Sequence, residues 1–446
     1  VQVERRNEEE EIETPDKAVK LESEALKKGK LPSSPWIIGD AVADRKMLYG
    51  RQTEIDQIVR YYNNSSVGGK NLILYGNRRA GKSSILKTIK TDGTLSNYHL
   101  IYTDLQGTGG ADACTLWNFL AREIWQQLTE VGCSFDLSSW GIPNAESLRA
   151  EAKVDYAKKM KRLLPKEASF ESFDLFIQEA LKAAAPKKML LALDEYVVLE
   201  ERILASQLDK LVPQQIRSIH QKYADLGVLF AGVHLLRKSG EVHVSEHFRS
   251  AKKLGVGSIP EDAALDLIKS PLKDWIRFSD EAAEEICRMT DAFPYLIQKM
   301  CDFILDALDE CGGREVTEVL VKQVAQKHCD DEELVFIWKD WAETDVNRYM
   351  LNVIHRLTSD GDPPVTTLSE IESLMIKDGR RFQPVHNLFD ATTIIKDLID
   401  RNLVDTGSIH NEPAFGLKMK WLGYYIKSEQ DRDELIQLAL EHLERD

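Results

Sequence analysis

The residues most able to do chemistry lie in Asn71-Leu-Ile-Leu-Tyr-Gly-Asn-Arg-Arg-Ala-Gly-Lys-Ser-Ser-Ile-Leu86. An apolar run, Leu72 to Tyr75, ends at Gly76, and Gly81-Lys82-Ser83 follows after Asn77, Arg78, Arg79 and Ala80. This is the spacing G-x-x-x-x-G-K-[ST] of a phosphate-binding loop. The glycines let backbone N–H groups turn inward around phosphate oxygens, and the amino end of the next helix adds unpaired N–H groups and a positive dipole end. In that chemistry Lys82 reaches the β- and γ-phosphates and Ser83 offers its hydroxyl to Mg²⁺, with Ser84 opening the helix. Arg78 and Arg79 place two further cations beside the phosphates. They are either solvated and paired with acidic neighbours, or poised to sense a partner subunit across the nucleotide.

A second constellation is Lys188-Met-Leu-Leu-Ala-Leu-Asp-Glu-Tyr196, an apolar strand that ends in two carboxylates. Downstream of a phosphate loop, Asp194 is a metal-holding carboxylate beside Ser83. Glu195 is placed to polarise the water that attacks the terminal phosphate. Together Lys82, Ser83, Asp194 and Glu195 predict ATP·Mg²⁺ binding with hydrolysis, at slow turnover.

These groups need a parallel sheet to aim them. His99 to Gln106 reads as a buried strand with Asp104 near its carboxyl end, where open α/β sheets put ligand-contacting groups. Gly227 to Val233 reads as another strand and Lys253 to Val256 as a short last one. Leu116 to Leu128 and Phe170 to Leu181 carry apolar residues at helical spacing. From Ile259-Pro260 onward the pattern predicts helices alone.

The 446 residues suit two or three domains, and 43% hydrophobic with 29% charged residues is a globular composition. No run approaches a membrane span of about 20 apolar residues, so no membrane partner and a cytoplasmic site are expected. The six cysteines form no C-x-x-C pair and read as reduced thiols, and no His/Cys cluster has metal-ligand spacing. The net charge of −15 disfavours a uniformly basic nucleic-acid surface but allows a local patch. Residues 1–33 are charge-dense and read as a linker or arm. The first residue is Val, which leaves room upstream for a targeting segment or a fused domain.

With Ile38-Gly39, then Leu48-Tyr-Gly-Arg-Gln-Thr-Glu54, then the loop Gly76-Asn-Arg-Arg-Ala-Gly-Lys-Ser-Ser84, the chain resembles STAND-class P-loop ATPases, relatives of AAA+ and replication-initiator ATPases. The resemblance spans roughly residues 34–425. It implies an ASCE/AAA+-like α/β core over residues 34–258, a helical lid over 259–331 and a winged-helix domain over 332–446. It further implies that Ile38, Gly39 and Arg51 lie near the base, and that the strand ending at Val233-His234, with Arg237 beyond, faces the γ-phosphate. Met289 to Cys301 resembles the lid segment "T-G-G-x-P-x-x-x-Q". Pro294 and Gln298 match its proline and glutamine, and Asp291 and Ala292 replace its glycines; the proline implies a nucleotide contact. Arg249 is a candidate charge-stabilising arginine from the same or a neighbouring subunit, against the plainer reading of a solvated side chain at an element boundary.

The helix Thr392 to Arg401 followed by a ribbon, Leu403–Thr406 paired with Ala414–Leu417 across Gly407 to Pro413, looks like a winged helix. Lys396 and Arg401 against Asp397 and Asp400 are a poor charge balance for DNA. Two functions follow from the resemblance. One is a molecular switch whose nucleotide state sets domain arrangement and self-association, or a fused or partner effector, in signalling or defence. The other is a DNA-handling, initiator-like or transposition-regulator ATPase.

Overall fold

The computed structural model describes residues 26–27, 29–63, 70–108, 112–135, 169–233, 251–359, 364–382, 391–428 and 435–439. Helix α1 (Gln52–Asn63) precedes strand β1 (Asn71–Tyr75), and α2 (Lys82–Asp92) follows the loop. Then come β2 (Tyr98–Asp104), α3 (Ala113–Glu130), α4 (Phe170–Ala184), β3 (Lys188–Asp194), α5 (Val197–Leu204), α6 (Val212–Lys222), β4 (Leu226–Gly232) and β5 (Lys252–Gly255). All five strands run parallel in the order β2-β3-β4-β1-β5.

Strand pleating divides the core in two. Leu72, Leu74, Leu190 and Ala192 face one side of the sheet, with α1 and α2. Ile73, Met189, Leu191 and Leu193 face the other, under α3 to α6. Burial on both faces explains the unbroken apolar runs seen in the sequence. The interior strand β1, between β4 and β5, therefore delivers its carboxyl end, and the loop, to the point where chain order reverses.

The helical region holds α7 (Glu261–Lys269), α8 (Asp280–Thr290), α9 (Pro294–Cys311) and α10 (Glu318–Lys327). Helices alone were expected, but two short strands, β6 (Arg277–Phe278) and β7 (Glu315–Val316), pair in parallel at the starts of α8 and α10. Each hands its chain to a capping hydroxyl, Ser279 or Thr317, which accepts from the N–H three residues on. Asp291 and Ala292 carry φ values of +50° and +49°, so they keep the left-handed turn their glycine counterparts would favour.

The C-terminal part contains α11 (Glu332–Trp341), α12 (Asp345–Thr358), β8 (Thr366–Thr367), α13 (Leu368–Phe382), α14 (Ala391–Asp400), β9 (Val404–Ile409), β10 (Glu412–Leu417) and α15 (Lys420–Ser428). The ribbon turn is tighter than its sequence suggested: Gly407 pairs with Ala414, and the turn is His410-Asn411. Both residues have positive φ, +50° and +69°, as a two-residue hairpin turn matched to strand twist requires. Ordered contacts also begin before Ser34. Lys27 pairs with Asp274 at 2.8 Å and Leu31 is buried in the larger core.

Two glycines fix how closely the lid root approaches the loop. A Cβ on Gly76 would lie 2.0 Å from the Val256 carbonyl oxygen. At Gly50 φ is +66° and a Cβ would meet Ile259 Cβ at 2.7 Å. Gly50→Ala is therefore expected to cost about 3 kcal/mol, from left-handed strain plus overpacking. Gly132→Ala has φ +91° but open space and should cost about 1 kcal/mol. Urea unfolding of both variants checks the difference; equal losses would contradict the close approach.

Candidate functional site

The loop turns at Gly81, whose φ of +94° lets α2 begin with Lys82. Lys82 is 4% exposed, and its Nζ donates to the carbonyls of Gly76 and Asn77, each at 2.9 Å. Burial lowers the proton affinity of this ammonium, against the nearby charges of Glu195 and Asp194, which raise it. The loop is braced on three sides. Val42 N–H donates to Ser84 Oγ at 3.0 Å, bringing the Gly39-to-Val42 segment against the start of α2. Arg79, at φ +64°, lies 4.4 Å from the Tyr295 ring centre. Arg51 is 2% exposed, and its guanidinium donates to Glu54 Oε1 at 2.8 Å, to the Ala80 carbonyl at 2.8 Å and to the Gly257 carbonyl.

Asp194 is 1% exposed and accepts from Tyr102 Oη at 2.7 Å; the same phenol interacts with the Ser83 hydroxyl. Burial and Asp194 push the Tyr102 phenol far up, so it stays a neutral donor. A tyrosine thus bridges the two groups predicted to share a metal. A hydroxyl and a carboxylate are the hard oxygen ligands that Mg²⁺ takes when phosphates complete its shell, so the donor set fits that ion. Among the described residues no group of three or more His, Cys, Asp or Glu could hold a metal alone. Glu195 follows Asp194 with φ +52°, and its N–H donates to Asp194 Oδ1 at 3.1 Å. Burial raises the proton affinity of Glu195, and Lys82 opposes that rise.

Lys82, Ser83 and Glu195 border a cavity of about 600 Å³, within the range of small-molecule sites. Arg78, Arg79, Gly81, Lys82, Ser83, Ser84 and Glu195 line its loop side. Gly39, Arg51, Pro294 and Gln298 also line it, and Gln298 Oε1 accepts from Ile37 N–H at 3.0 Å. Ile38 instead packs against the core, while its neighbour Ile37 lines the cavity. Gly76, Asn77, Ala80 and Asp194 are not part of the lining. Arg249, His234 and Arg237 lie outside the described residues.

Other wall residues carry no motif of their own. Glu332 and Phe336 of α11 close one side, with Arg78 5.4 Å from the Phe336 ring centre. Asp340 is close enough for Arg78 and Lys82 to act on its carboxyl, whose proton affinity burial raises. Asn77, 4% exposed, turns away from the cavity and donates through Nδ2 to the Arg401 carbonyl at 2.9 Å. Arg401 in turn pairs with Asp397 at 2.7 Å and Glu343 at 3.1 Å. The loop therefore touches a residue 324 positions away. Only Tyr102 left a sequence signal, two residues before Asp104 on the neighbouring strand.

No family model matches the chain, and no curated protein matches it by sequence. Among solved structures it is similar to the ORC2 protein of Aeropyrum pernix in ADPNP–ADP complexes. The identity is 11%, over 91% of this chain and 99% of that one, with a TM-score of 0.53. It is also similar to Drosophila ORC bound to DNA (14%, 90% and 89%, TM-score 0.43) and to Cdc6p of Pyrobaculum aerophilum (13%, 89% and 94%, TM-score 0.41). At these identities the likeness is one of fold, and it rests on the first. The fold is the AAA+-like α/β P-loop plan, a five-stranded parallel sheet followed by helices. No described helix is long and apolar enough to cross a membrane.

Helix α5, leaving the Glu195 turn, carries Glu200 into an apolar niche with Tyr196, Leu199, Ile203, Pro213, Ile216 and Phe230. Burial, with Glu201 nearby, pushes its carboxyl up to about 7. The folded pKa is thus above the unfolded value of about 4.3, so the protonated group favours folding at low pH and that contribution is lost as pH rises through 7. Glu200→Gln should gain stability relative to the parent as pH rises from 5 to 8. Chemical denaturation at the two pH values tests this; a gap independent of pH would contradict it.

Proposed function

We propose that the chain is an ATP-binding and ATP-hydrolysing switch of AAA+ type, in which nucleotide state is read by the C-terminal unit. The observation that carries this is the convergence of Lys82, Ser83, Arg78 and Glu195 on one cavity whose far wall is built from Pro294, Glu332 and Phe336. Lys82 is buried at the loop, where its charge suits the β- and γ-phosphates once it leaves the carbonyls it now bonds. The loop N–H groups and the amino end of α2 hold the remaining phosphate oxygens. Ser83 and Asp194 would hold Mg²⁺, with Tyr102 orienting the carboxylate through its 2.7 Å bond. When bound, that ion neutralises charge developing on the phosphates. Glu195 orients the attacking water and accepts its proton, a task suited by burial that raises its proton affinity. Arg249 remains a candidate for stabilising charge from the same or a neighbouring subunit.

Coupling runs through the loop itself. Asn77 bonds the end of α14, and Arg78 meets Phe336 of α11. A loop reshaped around phosphates must alter both contacts, which supports a nucleotide-dependent arrangement of the C-terminal unit and, through it, of self-association.

Of the two outputs, the DNA-handling, initiator-like one has more support than the signalling or defence switch of STAND type. The fold likeness to the ORC2 protein extends over 91% of this chain. The winged-helix reading of residues 332–446 rests on the three-stranded order β8-β10-β9 packed with α12 to α14.

Titration calorimetry with ATP and Mg²⁺ tests the site. Lys82→Ala should lose binding by a factor of a hundred or more, roughly 3 kcal/mol for a charge-assisted phosphate contact. Glu195→Gln should bind as the parent does and release phosphate at least about a hundredfold more slowly. Unchanged affinity in the Lys82 variant would overturn the assignment.

A further inference from the structure

The amino ends of the parallel strands, opposite the loop, carry a feature that nucleotide chemistry does not use. Lys252 opens β5, Lys70 immediately precedes β1, and Lys188 opens β3, with Lys187 before it. Tyr61, in the last turn of α1, sits between two of them. Lys70 Nζ is 4.7 Å and Lys252 Nζ 5.3 Å from its ring centre. The ring is held in place by Tyr61 Oη, which donates to the Asn71 carbonyl at 2.9 Å.

The row is short of counter-charge. Among the described residues, Asp225 is the carboxylate paired with any of these lysines, 3.5 Å from Lys188 Nζ and itself 66% exposed. Burial first, and then Lys188 and Lys252, lower the proton affinity of Lys70, so the three ammonium groups repel one another. At the far end Lys187 acts the same way on His99, whose proton affinity burial has already lowered. A chain of net charge −15 concentrates cations here against its overall sign.

We propose that this row, Lys252, Lys70, Lys188 and Lys187, docks the phosphate backbone of a nucleic-acid duplex. It crosses β5, β1, β4 and β3, a span of about 14 Å at the spacing of neighbouring strands. A linear polyanion with a charge about every 1.7 Å of its axis meets several lysines along such a line, whereas a single phosphate group meets one. The more obvious surface, α14, is poorly suited. Arg401 is already paired with Asp397 and Glu343, which leaves exposed Lys396 beside Asp400. The proposal does not depend on ATP binding, since the row lies at the opposite end of β1 from the loop.

Fluorescence anisotropy with a labelled duplex, titrated between 50 and 200 mM NaCl, tests it. The triple variant Lys70→Gln, Lys188→Gln, Lys252→Gln should bind about tenfold or more weakly at low salt. Its plot of log affinity against log salt should be shallower by about two to three units. The corresponding triple Lys→Arg variant should keep the parent slope, and Lys396→Gln should leave both quantities unchanged. If the triple Gln variant melts below the parent, Lys188→Gln and Lys252→Gln singly should each lower the slope by about one. An unchanged slope in these variants, loss of binding in Lys396→Gln, or no salt-dependent duplex binding by the parent would overturn the proposal. So would preferential binding of polyglutamate or phosphatidylserine vesicles over the duplex.

Discussion

A single buried cation holds the working parts in register. The Arg51 guanidinium is sealed from water, and an ion so placed is costly unless it is paired and hydrogen-bonded. Its partners come from three places: Glu54 on its own helix, the Ala80 carbonyl within the loop, and the Gly257 carbonyl at the root of the lid. Shifting any one of them strands a charge in the core. The loop, α1 and the lid root therefore move together or not at all. Arg51, expected near the base, lines the cavity. Its two terminal nitrogens are committed to protein acceptors, and its buried Nε has no partner among the described residues.

The loop is in turn the meeting point of parts far apart in sequence. Asn77 bonds Arg401, Arg78 faces Phe336, and Arg79 faces Tyr295. The positions between Gly76 and Gly81 are free to vary in a phosphate loop because the backbone binds the phosphates. In this chain Asn77, Arg78 and Arg79 face the lid and C-terminal unit, while Ala80 is buried in the core. Ser258 strengthens the same junction by donating to Asp291 at 2.7 Å, with Lys418 of the ribbon end 4.0 Å beyond. Asp291 thus has a use for the side chain that a glycine in its place would lack. Its left-handed backbone keeps the turn.

What could be read from the sequence follows from how local each signal is. The strand–loop–helix and the carboxylates ending β3 are set by neighbours in sequence, and Lys82, Ser83 and Glu195 lie together on the cavity. The parallel sheet was legible because burial on both faces leaves continuous apolar runs. The α11 wall, the Asn77–Arg401 bond and the Tyr102 bridge were not, because each joins elements whose approach only the packed core decides. The ribbon turn was misjudged for a local reason. Gly407 attracted the turn, while His410-Asn411 supplied the two left-handed residues. The lysine row was invisible for the same reason as the wall, its members being gathered from the starts of three strands.

The loop, bonded to Arg401 and facing Phe336, is the part through which nucleotide state would reach the C-terminal unit. Small-angle scattering of the chain with ADP and with a non-hydrolysable ATP analogue, each with Mg²⁺, tests this most directly. The account predicts a change in radius of gyration or particle mass between the two nucleotides that Lys82→Ala abolishes. Superimposable curves from the two nucleotides, at saturation, would contradict it.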